Sequence, residues 1–271
     1  MKNLNRSEFQ AFPYHLVEPS PWPILTSFAL LTLTTSAVMY FHGFANGGEL
    51  LTLGFCLTAG GMILWFRDVI TEGTYLGDHT SQVQKGLTLG VALFIVSEVF
   101  AFLSVFWAYF HSSLAPTIEI GSTWPPLGVQ ALDPFAVPLL NTILLLSSGA
   151  TITYAHHALI QGNRYGAILG TLLTIVFAIL FTALQAFEYI EAPFSIADSV
   201  FGTVFFASTG LHGLHVIVGT LFILVGFFRI ISYHLTDHHH LGFESAILYW
   251  HFVDIVWLFL FIAVYYWGSS N

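Results

Sequence analysis

Long apolar runs alternate along this chain with short polar interruptions. Seven runs, at about 24–41, 50–66, 86–111, 137–156, 166–188, 200–229 and 245–267, each approach the roughly 20 residues a helix needs to cross a bilayer. Between them stand Gly47-Gly48, the segment 67–85, the loop 114–134, Gln161-Gly162-Asn163, Glu191-Ala192-Pro193 and the segment 235–242. These interruptions carry the Gly, Pro, Asn and Asp residues that end helices. The pattern predicts an all-α polytopic membrane protein, with seven transmembrane helices forming a single membrane domain over residues 1–271. The third and sixth runs exceed the bilayer thickness, which implies tilt or extension beyond the lipid.

One residue breaks the apolar pattern where it is most costly. The run 86–110 (GLTLGVALFIVSEVFAFLSVFWAYF) holds a single charged residue, Glu98, at its centre. An intramembrane carboxylate faces a protein interior, finds a partner and marks function more often than not. His215 lies near the middle of run six with His212 one turn away, and Asp254 lies near the middle of run seven with His251 one turn away. Depth alone makes these four the candidate buried polar partners of Glu98.

Composition agrees with the pattern. The chain is 56% hydrophobic and only 8% charged, against roughly 25% charged in a soluble domain. The six basic residues are Lys2, Arg6, Arg67, Lys85, Arg164 and Arg229. Seven spans place all of them on the side of the N-terminus, which by the positive-inside rule faces the matrix or cytoplasm. The C-terminus then faces the opposite side. No signal peptide is expected, because residues 1–23 are polar, aromatic and rich in proline. Trp22, Trp65, Trp107, Tyr109, Tyr249, Trp250, Tyr265, Tyr266 and Trp267 gather near span ends and read as an interfacial belt.

The candidate chemistry is sparse. Cys56 is the only cysteine, so neither an intrachain disulfide nor a cysteine metal site can form. The pair His212-Gly213-Leu214-His215 has the spacing for one metal ion on a helix face, but without further ligands in register it reads as two hydrogen-bonded histidines. On the basic side His234, His238 and His239 form one H-x-x-x-H-H box; His156-His157 lacks a companion at the needed spacing, and His79 stands alone. No bound metal is expected. Arg67, Arg229 and His234 stand where cations favour anionic lipid headgroups. Too few basic residues are present for nucleic acid. On residues alone the reading ends at a seven-helix membrane protein with a functional buried carboxylate.

A resemblance goes further. The stretches WFRDVITEGTYLGDHT (65–80), FIVSEVFAFLSVFWAYFHSSLAPT (94–117), WPPLGVQALDPFAVPLLNT (124–142), YAHHALIQGNR (154–164), QAFEYIEAPFSIADSVFG (185–202), GLHGLHVIVGT (210–220) and HHLGFESAILYWHFVDIVWLFLFIAVYYWG (239–268) resemble subunit 3 of cytochrome c oxidase, mitochondrial type. The resemblance spans about His15 to Trp267.

It implies seven helices, with helices 1–2 and 3–7 forming a V-shaped cleft that holds structural phospholipids. It also implies an accessory, non-redox subunit in the mitochondrial inner membrane, N-terminus in the matrix and C-terminus in the intermembrane space. Haem and copper would lie on partner subunits 1 and 2, further small subunits would be neighbours, and no catalytic centre or cofactor would lie on this chain. The complex oxidises cytochrome c, reduces oxygen to water and pumps protons. Glu98 matches the family's carbodiimide-reactive buried carboxylate, and the family subunit is associated with sustained proton uptake and turnover stability. The lipid-binding residues carry over to Trp65, Arg67, Glu72, His79, Trp107, Arg229 and His234. Thr71 and Ser232 stand where animal relatives often have Arg and Lys, so two expected headgroup cations are absent. Two other readings are a membrane di-iron desaturase or hydroxylase using the basic-side histidines, and a proton-coupled transporter using Glu98. The second is disfavoured by the lack of an internal repeat and of Gly or Pro between Val91 and Tyr109.

Overall fold

A computed structural model describes residues 12–269; Lys2 and Arg6 lie outside the described residues. Seven long helices follow one another: α1 Trp22–Phe41, α2 Gly47–Thr71, α3 Ser81–Leu114, α4 Val137–Ile160, α5 Arg164–Glu191, α6 Val200–Ile231 and α7 Leu241–Leu260. All seven are long and apolar enough to cross a membrane. Among the described residues there is no strand. Most helices run past the apolar runs that predict them, because polar residues at their ends extend the backbone ladder into the interface. At about 1.5 Å per residue, α3 is about 51 Å long, well beyond a hydrocarbon core of about 30 Å.

The described residues separate into two compact units, residues 12–87 and 88–269. In the first, α1 and α2 form a tight antiparallel hairpin. Its closeness comes from glycines seven residues apart. A Cβ on Gly54 would lie 2.8 Å from the Leu33 backbone, one on Gly47 2.8 Å from the Tyr40 backbone, and one on Gly61 3.0 Å from Thr26 Oγ1. Such small-residue seams let membrane helices approach where no hydrophobic effect drives them together. The segment from Arg67 to Glu72, expected as part of the interruption 67–85, is instead helical. It contains neither Gly nor Pro, so α2 runs on to Thr71 and continues as a wider π-turn over Glu72–Leu76. The helix ends only at Gly77, whose φ of +71° allows the Asp78 N–H to reach back to the Glu72 carbonyl at 3.1 Å.

In the second unit α4 packs on α5 and α7, and α6 packs on the same two helices. α7 is the most buried element and continues past Leu260 as a π-turn over Phe261–Tyr266. Hydrogen bonds between side chains link the helices: Trp250 Nε1 donates to Ser148 Oγ and Trp257 Nε1 to Thr142 Oγ1, both at 2.9 Å. Thr151 and Thr174 join α4 to α5 at 2.8 Å, and Tyr189 OH donates to Thr209 Oγ1 at 2.7 Å between α5 and α6. Each such bond removes a polar group from lipid. They also correct the aromatic belt: Tyr109, Trp250 and Tyr265 are enclosed in the protein, and their polar atoms bond within it. Arg164, at the start of α5, donates to the Ile230 and Ile231 carbonyls at the end of α6 and lies 3.3 Å from the Tyr233 ring centroid. A cation at a helix C-terminus suits the helix dipole.

The glycine seam yields a direct expectation. Gly54→Val should destabilise the α1–α2 hairpin by about 1–3 kcal/mol through overpacking, whereas Gly60→Ala, which has open space around it, should be neutral. Thermal unfolding and proteolysis of the 42–46 turn in the intact protein check this; equal behaviour of the two variants would contradict the close approach.

Candidate functional site

Glu98 reaches from α3 to α6. Its Oε2 lies 2.7 Å from His215 Nε2, and His215 Nδ1 lies 2.8 Å from the Leu211 carbonyl. Both side chains are largely shielded, at 22% and 10% exposure. Aromatic rings enclose the pair: Phe102 meets the His215 ring edge-on at 4.9 Å, Tyr249 stacks on it at 6.2 Å, and Phe94 stacks on Tyr249. α3 needs this contact, because it buries only Phe102, Tyr109 and Ser113. Tyr109 adds a second attachment, donating to the Ala263 carbonyl at 2.9 Å.

The bonding pattern fixes where protons can be. A carbonyl only accepts, so His215 Nδ1 carries a proton. The short contact at Nε2 then requires one further proton, held by Glu98 as a neutral acid or by His215 as an imidazolium. Both forms have zero net charge and differ only in the proton's position. The arrangement can therefore hold one proton and move it across a single hydrogen bond.

The other candidate partners go elsewhere. His212 Nε2 bonds the Val253 carbonyl at 3.2 Å, with its ring between Phe181 and Trp257. The two histidines of the i, i+3 pair thus serve different helices. His251 Nε2 meets Thr153 Oγ1 at 3.2 Å, and its Nδ1 stands 3.9 Å from Asp254 Oδ2. Asp254 is buried against Gly149, where a Cβ would lie 2.7 Å from its Oδ2. Glu98 therefore gains one of its four depth-matched partners.

The expected lipid-binding residues are divided between the units. Trp65, Arg67, Glu72 and His79 belong to the first. Arg67 forks onto Asp68 Oδ1 at 2.8 and 3.0 Å, and Trp22 Nε1 donates to the other oxygen of that carboxylate. Glu72 and His79 gather with His15, their ligand atoms within 4.8 Å of one another, and the His79 ring packs over Gly73. Trp107, Arg229 and His234 belong to the second. Trp107 is exposed nine residues beyond Glu98, and Arg229 follows His215 by fourteen residues on an antiparallel helix. At about 1.5 Å per residue they are about 34 Å apart along the helices, so no single headgroup touches both. The Arg229 guanidinium lies over Gly242, where a Cβ would stand 2.6 Å from Nη1. In the loop beside it, burial and then the Arg229 charge hold the His239 pKa below its ordinary value. The H-x-x-x-H-H box does not close: His238 is fully in the open and faces Asp237.

Sequence reasoning passed over two polar clusters. Glu188 on α5 accepts from Tyr265 OH at 2.6 Å, and Gln185 bridges Tyr265 OH at 3.1 Å and Asn141 at 3.2 Å. Glu188 sits three residues from the end of its helix, where an acid passes for an interfacial residue. The second is His156 with His240 and Glu244; His240 and Glu244 are one turn apart, but His156 is 84 residues from His240 in the chain.

Comparison with known proteins decides the family. The model for cytochrome c oxidase subunit III matches residues 12–269. The chain is 68% identical to cytochrome c oxidase subunit 3 of Mycosarcoma maydis, over 98% of each protein. It is 62% identical to the Rhizopus stolonifer protein of the same name, covering 99% of this chain and 95% of that one, and 61% identical to that of Emericella nidulans, covering 97% and 98%. The chain belongs to the cytochrome c oxidase subunit III family. It is thus a multi-span membrane component of a respiratory oxidoreductase complex, and the desaturase and transporter readings have no support.

Within this family member, His215→Phe fits the aromatic surroundings but leaves Glu98 without its partner. It should destabilise the assembled oxidase by about 1–3 kcal/mol, the cost of an orphaned buried polar group. Glu98→Gln keeps a donor toward Nε2 and should cost less. Thermal melting of the purified complex checks the order; a larger loss for Glu98→Gln would contradict the geometry.

Proposed function

We propose that the chain is an accessory, non-redox subunit of cytochrome c oxidase that supports proton uptake and stabilises the catalytic core. In this reading haem and copper are held by partner subunits 1 and 2, and no catalytic centre or cofactor lies on this chain. The complex oxidises cytochrome c, reduces oxygen to water and translocates protons. Its place is the mitochondrial inner membrane, with the N-terminus in the matrix and the C-terminus in the intermembrane space. Arg164 and Arg229 stand at one end of the second unit, which supports that orientation by the positive-inside rule.

The observation that carries the reading is the 2.7 Å bond between Glu98 and His215 inside an aromatic enclosure. In this reading it is a proton-holding pair, and among the described residues no further metal-ligating group gathers with it. Glu98→Gln should leave the haem and copper spectra of the complex intact while lowering proton uptake or durability over many turnovers. Loss of a haem band from an assembled complex, or wholly unchanged uptake and durability, would refute the role.

Structural phospholipids are the second element of the reading. Arg67 bonds Asp68, and Trp22 donates to the other oxygen of that carboxylate; in the second unit Arg229, with His234, is the headgroup candidate. Trp65, Glu72 and His79 would line lipid in the first unit, and Trp107 would meet acyl chains or headgroups of the opposite leaflet. Arg229→Ala should release bound phospholipid while the chain stays folded and assembled. Native mass spectrometry reads this; unchanged lipid after purification rules out the assignment.

A further inference from the structure

The cluster of His156, His240 and Glu244 lies where α4 ends and α7 begins. His156 Nε2 and His240 Nε2 are 3.4 Å apart. Glu244 Oε1 is 3.1 Å from His240 Nε2 and 3.8 Å from His156 Nε2. His240 is also held from behind, with its Nδ1 2.8 Å from the Thr236 carbonyl.

That last contact sets the chemistry. The carbonyl can only accept, so Nδ1 carries the proton, and neutral His240 presents an Nε2 lone pair to the cluster. The lone pair faces a carboxylate oxygen and the Nε2 of His156, whose own tautomer sets what it offers. When His156 carries its proton on Nδ1, three electron-pair donors are directed at one another and repel unless a cation lies between them. A single proton joins two of them at a time; a divalent ion satisfies all three together. The spacing matches that need: ligand atoms about 2.1 Å from a tetrahedral ion stand about 3.4 Å from one another. Hydrogen bonding of the far imidazole nitrogen to a carbonyl is also the usual support of a ligating histidine.

We propose that His156, His240 and Glu244 form a binding site for a divalent transition-metal ion, best suited to Zn²⁺, with one coordination position left to water. His240 is the buried anchor, while Glu244 is half exposed and gives the ion its entry. Bound there, the ion ties the last turn of α4 to the first turn of α7. The site is separate from the Glu98–His215 pair and stands whether or not that pair carries protons. It revises the expectation of no metal, which rested on spacing within single segments.

The test uses Zn²⁺ alone on the purified oxidase complex after chelator treatment. Equilibrium dialysis with radioactive zinc should show one more exchangeable ion per wild-type complex than per His156→Ala or Glu244→Gln complex, or an affinity lowered about tenfold or more in the variants. Subunit content and haem spectra verify assembly. Equal stoichiometry and affinity in wild type and assembled variants overturn the proposal. Should the variants not assemble, zinc-edge anomalous diffraction from soaked wild-type crystals decides: a peak among the three side chains supports the site, and its absence at a concentration that loads other sites refutes it.

Discussion

The hydrogen bond between Glu98 and His215 is the constraint on which the second unit's outermost helix depends. α3 has little of its surface buried, and lipid offers it no hydrophobic reason to stay against the other helices. What binds it is a polar bond with no alternative partner in hydrocarbon, backed by Phe102 on Phe252 and by Tyr109 on the Ala263 carbonyl. In the proposed reading the same bond that locates the helix also holds a proton, so structural and proton-linked roles fall on one pair of atoms, and a substitution there disturbs both unless it preserves the hydrogen bond.

The remaining helices follow a similar logic. Trp250 on Ser148, Trp257 on Thr142, Thr151 on Thr174 and Tyr189 on Thr209 each connect two helices through groups that would otherwise be unsatisfied in lipid. Glycines determine how near the helices come: Gly54 at Leu33 in the first unit, and Gly170 in the second, where a Cβ would lie 2.8 Å from the Thr151 carbonyl. Such approaches raise dispersion contact, which is the principal attraction available between helices in a bilayer.

Much of this was legible in the chain before its structure. Seven apolar runs gave seven helices, and the intramembrane cost of a charge singled out Glu98. The failures have a common physical cause. Hydropathy reports what a residue prefers, whereas its partner is set by rotation about the helix axis. Depth placed His212, His215, His251 and Asp254 together, yet rotation turned only His215 toward Glu98. Tyr109, Trp250 and Tyr265 looked interfacial because tyrosine and tryptophan suit that boundary, but a protein interior offers their polar atoms the same satisfaction. The start of the 67–85 interruption looked non-helical because its charges suggest water; with neither Gly nor Pro from Arg67 to Glu72, the helix simply continued. His156 lacked a companion in sequence because its neighbours His240 and Glu244 come from another helix end.

The central claim is that Glu98 and His215 act as one unit. A double-mutant cycle in the assembled oxidase tests it most directly, using Glu98→Ala, His215→Ala and the double variant, with melting of the complex and persistence of turnover as readouts. The account predicts strong coupling: the double variant should be little worse than either single one in both readouts. Additive losses would show that the two residues act independently, and would contradict the account.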